Sequence, residues 1–154
     1  GNRAFYSLSG PDVFSAWRAV RKLAEARLGD VHEIVQQYLT DREQLQGITP
    51  TELAARLEED DGVLVLDVRP EREYRTGHIP GARSIPIETL EERLGELSGD
   101  QQIVAYCRGP YCVFSDEAVR RLRAEGFDVK RLEGGLPDWA AEGRPVKQDT
   151  ALSQ

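Results

Sequence analysis

Apolar positions along the chain follow two rhythms, and the change between them divides the sequence. From Pro11 onward, Val13, Trp17, Val20, Ala24, Leu28, Val31, Val35 and Tyr38 recur at steps of three and four, with Phe14, Leu23, Ile34 and Leu39 widening the stripe. That is the period of an amphipathic helix. Pro11 suits its first turn and Ser9 or Gly10 its cap. A helix over 11–39 is about 40 Å long at 1.5 Å per residue, too long for a small core, and Gly29 is where it kinks or divides. Ahead of it, Ala4, Phe5, Tyr6 and Leu8 predict a short strand. The stripe has two readings: it packs on the domain that follows, or it forms a seam with a second copy of the chain. His32, just off the stripe, has no second ligand at helical spacing and is not read as a metal ligand.

After the polar stretch 41–47, short continuous apolar runs alternate with helical patterns. Thr49-Pro50-Thr51-Glu52 is a capping box with proline at the first helical position, and the helix continues through Leu53, Ala54 and Leu57. Val63 to Leu66 predicts a strand buried on both faces, ending in Asp67-Val68-Arg69-Pro70. A helical turn at Glu71 to Tyr74, a glycine-rich loop over 77–82, a strand at Ser84 to Ile87 and a helix from Thr89 to Leu97 follow. Ile103 to Tyr106 is again a strand. Ala118, Val119 and Leu122 then mark a helix that Gly126 closes. Val129 to Leu132 is the last strand, and Gly134-Gly135 turns the chain into a final helix anchored by Trp139. Strands alternating with helices predict a doubly wound α/β sheet.

Composition narrows the class. With 154 residues, 40% hydrophobic and 31% charged, the chain reads as one globular domain with an extra element outside its core. A net charge of −7 disfavours non-specific nucleic-acid binding. No run approaches the roughly 20 apolar residues of a membrane helix, so no membrane partner is expected. The 2 cysteines make no disulfide framework, so the default location is a reducing cytoplasm. A start at Gly1 without any methionine suggests a piece of a longer protein.

The candidate chemistry lies in Cys107-Arg108-Gly109-Pro110-Tyr111-Cys112, at the carboxyl end of one strand and the start of the next helix. In open α/β sheets this crevice binds ligands. Loop amides and a helix N-terminus there stabilise an anion and lower a thiol pKa. Cys107 is therefore the candidate nucleophile. Arg108, Gly109, Tyr111, Cys112 and Val113 are the candidate substrate-binding residues, through the Arg108 cation and the backbone N–H groups that Pro110 lacks. Cys112 either resolves a modified Cys107 by thiol–disulfide exchange or holds the loop as a weak S–H donor. Asp67 and Arg69 read as an ion pair supporting the loop, and His78 as a hydrogen-bonded turn residue. No metal or cofactor motif is present.

These residues also resemble a family. Leu66-Asp67-Val68-Arg69 with Glu73-Tyr74, Gly77-His78-Ile79-Pro80-Gly81-Ala82 and Ile85-Pro86 look like the first signature of rhodanese-type sulfurtransferase domains. Gly126-Phe127, Leu132-Glu133-Gly134-Gly135, Trp139 and Gly143-Arg144-Pro145-Val146 resemble the family's closing segment. The resemblance implies a rhodanese domain over 47–148 followed by a tail, with a sheet of about five mainly parallel strands and helices on both faces. It also implies transfer of sulfane sulfur from thiosulfate or a persulfide, through a Cys107 persulfide, to a thiol or cyanide acceptor. The active loop departs from the family pattern. Pro110 stands where glycine is usual, Cys112 where Ser, Thr or Arg is usual, and Tyr106 replaces the histidine that usually precedes the cysteine. Val113 stands where related phosphatases and arsenate reductases carry their oxyanion-binding arginine, which makes oxyanion chemistry the weaker reading. A sensor that uses Cys107 and Cys112 without turnover is the alternative. Residues 1–46 resemble the last wing strand and dimerisation helix of ArsR-type winged-helix regulators. That resemblance implies a homodimer through 11–39 and, with the DNA-reading segments absent, no specific DNA binding by this chain.

Overall fold

A computed structural model describes residues 9–39, 44–59 and 61–149. The strand expected from Ala4 to Leu8 lies outside these residues. The chain divides into two compact units, Gly1–Thr40 and Asp41–Gln154.

The first unit holds α1 (Pro11–Arg27) and α2 (Gly29–Tyr38). Of the two outcomes expected at Gly29, a kink or a division, the helical stretch shows the division. Leu28 takes an extended backbone, φ −106° and ψ 99°, and its N–H still bonds to the Ala24 carbonyl, so α1 ends there and Gly29 opens α2. Pro11 occupies the first turn of α1 behind Gly10. Phe14 and Trp17 pack ring to ring at 5.5 Å, and Arg21 lies 4.9 Å over the Trp17 ring. Even so, Trp17, Val20, Leu23, Leu28 and Ile34 remain exposed, Val20 at 67%.

The second unit is the expected doubly wound sheet. Strands β1 (Gly47–Ile48), β2 (Leu64–Asp67), β3 (Arg83–Ser84), β4 (Ile103–Tyr106) and β5 (Val129–Leu132) form one five-stranded parallel sheet in the order β1-β5-β4-β2-β3. Helices α3 (Pro50–Glu58), α4 (Glu71–Thr76) and α5 (Val113–Ala124) lie between strands, and α6 (Leu136–Ala141) follows β5. Because side chains alternate along a strand, the sheet buries two separate cores. Leu66, Ile103, Ala105, Cys107 and Val129 face Ala118, Val119 and Leu122 of α5. Val65, Val104, Tyr106 and Leu132 face Leu53 of α3 and Leu136 and Trp139 of α6.

Local signals decide where elements start and stop. The Thr49 capping box forms in full: its hydroxyl accepts from the Glu52 N–H at 3.2 Å, and the Glu52 carboxylate accepts from the Thr49 N–H at 2.8 Å. Gly126, at φ 89°, closes α5 in the left-handed conformation that costs glycine least. Two expectations are corrected here. The strand placed at Ser84 to Ile87 is Arg83–Ser84, and Pro86 without an N–H stops regular pairing just beyond it. The helix placed at Thr89 to Leu97 is two 3₁₀ segments, Ile87–Thr89 and Glu91–Glu96. The segment is short of the length at which an α-helix sustains itself and carries Gly95. Its i→i+3 bonds, such as Leu97 N–H to Leu94 at 3.0 Å, still bury Leu90 and Leu97.

Candidate active site

Four consecutive buried residues carry β4 to its end, and the next residue is Cys107. The alternation that sends Ile103 and Ala105 toward α5 sends Cys107 the same way, and it is 1% exposed. The chain then turns over five residues into α5, with Cys112 as the N-cap. The turn closes with the Cys112 N–H donating to the Gly109 carbonyl at 3.1 Å. It brings the Cys107 and Cys112 Cα atoms to 6.3 Å, and a disulfide joins the two sulfurs. That distance lies inside the range a disulfide spans. The free Cys107 thiolate expected from sequence is therefore corrected: in this state the sulfur is a half-cystine, and only reduction makes it a nucleophile. The half-buried Cys112 is the outer member of the pair, directly before the partial positive charge of the α5 N-terminus.

A second element presses on the loop from β5. Gly135, the N-cap of α6, lies so close that a Cβ there would sit 2.5 Å from both the Cys107 carbonyl oxygen and the Gly109 nitrogen. The Leu136 N–H donates to the Cys107 carbonyl at 3.2 Å. The missing side chain of Gly135 is thus what lets the start of α6 lie directly against the loop backbone.

At the mouth, Arg108 is paired with Glu73 of α4. Its Nε donates to Oε2 at 2.9 Å and its Nη2 to Oε1 at 2.7 Å, and the guanidinium lies 5.1 Å over the Phe114 ring. Hydrogen bonds from Arg108, with its charge, hold the Glu73 carboxyl below the usual glutamate range, and Glu73 raises Arg108 in return. The cation expected to serve the substrate is therefore largely neutralised. Gly109 lies beside it, while Tyr111 and Val113 are exposed at the rim.

The remaining expected residues lie on the other face of the sheet. Asp67 registers with Tyr106 and so shares its face. Arg69 donates from Nε to Asp67 Oδ1 at 2.9 Å and from Nη2 to the Gly77 carbonyl at 2.7 Å. The Asp67 and Arg69 side chains are both buried. The Tyr106 hydroxyl accepts the Ile79 N–H at 3.2 Å. Burial, and then the Asp67 charge, push its pKa far above that of an ordinary tyrosine. His78 is buried, stacks on Tyr74 at 3.8 Å and donates from Nδ1 to the Tyr74 carbonyl at 2.9 Å. Its backbone pairs with Lys147. Asp67 and Arg69 thus tie the end of β2 to Gly77 on the face opposite the Cys107 side chain, and His78 ties the glycine-rich loop to the C-terminal segment.

Two residues that the sequence reading quoted without assigning to the site, Glu73 and Gly135, contact the loop. Glu73 is 35 residues from Arg108 in sequence, and only the fold joins them. Gly135 did carry a signal, since a glycine pair at a strand end often marks close backbone approach. Taken together, the site is a dithiol/disulfide pair in a tight loop at a helix N-terminus, with a charge-balanced entrance.

Residues 49–142 match the family model described as the rhodanese-like domain. The chain is 45% identical to the HTH-type transcriptional regulator Rv0324 of Mycobacterium tuberculosis over 148 residues, 96% of this chain but 64% of that protein. It is 34% identical to a sulfurtransferase of Allochromatium vinosum over 95 residues, 61% of this chain and 87% of that one. The solved structure of the BH2092 protein of Bacillus halodurans superposes with a TM-score of 0.65 at 30% identity, covering 77% of this chain and 86% of its own.

Proposed function

Because the chain belongs to the rhodanese-like domain family, we propose that it is a sulfurtransferase that carries sulfane sulfur on Cys107. The position of Cys107 carries this reading: it lies at the carboxyl end of β4, in a loop that opens directly into the N-terminus of α5. Once reduced, the Cys107 thiolate attacks the outer sulfur of thiosulfate or of a persulfide and displaces sulfite or a thiolate. The loop N–H groups and the helix terminus stabilise the anionic persulfide, and a thiol or cyanide acceptor then removes its outer sulfur. The Allochromatium relative is itself named a sulfurtransferase. The test is steady-state sulfur transfer from thiosulfate to cyanide by reduced protein. Multiple turnovers are expected, and Cys107→Ser abolishes them. Turnover unaffected by that substitution would reject the assignment.

The disulfide favours a second reading, a sensor in which Cys107 and Cys112 change state stoichiometrically. That reading predicts one modification per chain and no steady state. Either activity would operate within a longer regulator, since the Mycobacterium relative is named as one and this chain spans 64% of it. In that context α1 and α2 correspond to the dimerisation segment of an ArsR-type regulator, and the exposed Val20, Leu23, Leu28 and Ile34 form a seam with a second copy of the chain. Light scattering at high micromolar concentration is expected to give twice the chain mass, and a monomer would reject the seam. A gel shift is expected to show no sequence-dependent DNA binding by this chain.

A further inference from the structure

The loop contains more chemistry than sulfur transfer requires. One nucleophilic cysteine suffices to carry a persulfide, yet a second sulfur is bonded to it across five residues. The loop does not depend on that bond for its shape. The Gly109 carbonyl accepts from Cys112 N–H, the Cys107 carbonyl accepts from Leu136 N–H, Gly135 packs beneath, and Arg108 is clamped to Glu73. The second thiol also sits at the N-cap of a twelve-residue helix, a position that lowers thiol pKa values. Cys107 is 1% exposed, whereas its partner is half-buried.

We infer that Cys112 is a resolving nucleophile, so that the domain reduces sulfane sulfur to free sulfide and takes a dithiol reductant as its second substrate. The inference rests on the proposed Cys107 persulfide. In the first step the Cys107 thiolate takes the outer sulfur of thiosulfate, forming a sulfur–sulfur bond and releasing sulfite. In the second, Cys112 sulfur attacks Cys107 Sγ. The Cys107–Cys112 bond forms, and the bond from Cys107 to the outer sulfur breaks. The outer sulfur leaves as hydrosulfide with the bond's electron pair and the Cys112 proton. The two cysteine sulfurs are oxidised by two electrons, and the transferred sulfur is reduced by two. The disulfide in the structure is the product of this step. A dithiol then attacks the outer sulfur, Cys112, as a mixed disulfide, and its second thiol completes the exchange and restores both cysteines. The partner class is therefore a protein or small molecule with two neighbouring thiols. Because the resolving thiol is held in the same loop, it acts at high effective concentration and outruns a dilute external acceptor.

Intact-mass spectrometry with sulfide and sulfite assays tests this on the full chain, reduced and desalted, given thiosulfate without acceptor. A parallel arm uses glutathione persulfide, with mass as its readout. Wild-type protein is expected to release sulfite and sulfide one to one and to finish about 2 Da lighter than the reduced form. Cys112→Ser, checked for folding by circular dichroism, is expected to release sulfite, to stay about 32 Da heavier and to yield at least tenfold less sulfide. Dithiothreitol is expected to convert the wild-type burst into continuous sulfide release. Wild-type protein that retained the extra sulfur with Cys112 still alkylatable would overturn the resolving role and leave the persulfide standing. Failure of both proteins to take up sulfur from either donor would overturn the persulfide and the inference together.

Discussion

Tyr106 and Cys107 are neighbours in sequence that serve opposite faces of the sheet. The tyrosine hydroxyl accepts the Ile79 N–H, so Tyr106→Phe leaves a buried amide without its partner, while both Asp67 oxygens keep their bonds from Arg69. A loss of about 1–3 kcal/mol is expected, read by urea titration, while persulfide formation on Cys107 persists because the loop lies on the α5 side. Loss of persulfide without loss of stability would contradict that separation. Gly135 makes the converse case. The Cβ of Gly135→Ala would meet two backbone atoms of the active loop at 2.5 Å, and backbone cannot swing aside as a side chain can. The loop must lift, and sulfur uptake is expected to slow by about tenfold or more from misplacement of the nucleophile. Single-turnover stopped flow after reduction measures it.

Among the elements, α4 and the active loop are coupled through Glu73 and Arg108. Glu73→Gln keeps the shape and removes the charge, so Arg108 regains an uncompensated guanidinium beside the donor site. The KM for dianionic thiosulfate is expected to fall severalfold, and that for a singly charged alkyl persulfide to fall less. Equal changes for both donors would show that Glu73 acts on loop shape and not on charge. The same pair has a pH signature. The folded pKa of Glu73 is depressed by its hydrogen bonds to Arg108. Its contribution is therefore fully present above the ordinary glutamate value of about 4.3 and is lost as pH falls through the lowered folded value. Acid titration of stability is expected to lose that limb in Glu73→Gln, whose amide does not titrate.

At the scale of the whole molecule, the disulfide closes a very short loop. A chain-entropy account assigns such a closure about 2 kcal/mol, against the roughly 5–15 kcal/mol that stabilises an ordinary domain. Reduction is therefore expected to lower the melting temperature by roughly 5–15 °C, measured by calorimetry with and without dithiothreitol, and to leave the sheet intact. Collapse of the fold on reduction would make the bond structural and remove the room for a redox cycle. The two compact units also differ in how they bury apolar surface. The second closes a core on each face of its sheet, whereas the first leaves a row of large apolar side chains in water.

Periodicity and punctuation carry information over a few residues, and they were enough for much of this chain. Continuous apolar runs located β2 and β4, because strands covered on both faces need no polar alternation. The capping box at Thr49 and the glycine at 126 placed helix ends through bonds that span three to five residues. Cys107 was legible as the loop nucleophile for the same reason: it follows a buried run and precedes a helix. What only the tertiary structure decided depends on distance in space. The division of the N-terminal helix fell at Leu28, one residue before the glycine that signalled it, and the segment after Pro86 became 3₁₀ because burying Leu90 and Leu97 outweighed its weak α preference. Parallel register put Asp67 beside Tyr106 and away from the Cys107 sulfur. Packing of β5 and α6 brought Gly135 under the loop, and the docking of α4 handed Arg108 to Glu73. The pairing of Cys107 with Cys112 needed the turn geometry itself. Two cysteines five apart are compatible with either a free thiol or a bridge, and only the fold of the chain between them brings their Cα atoms within bonding reach.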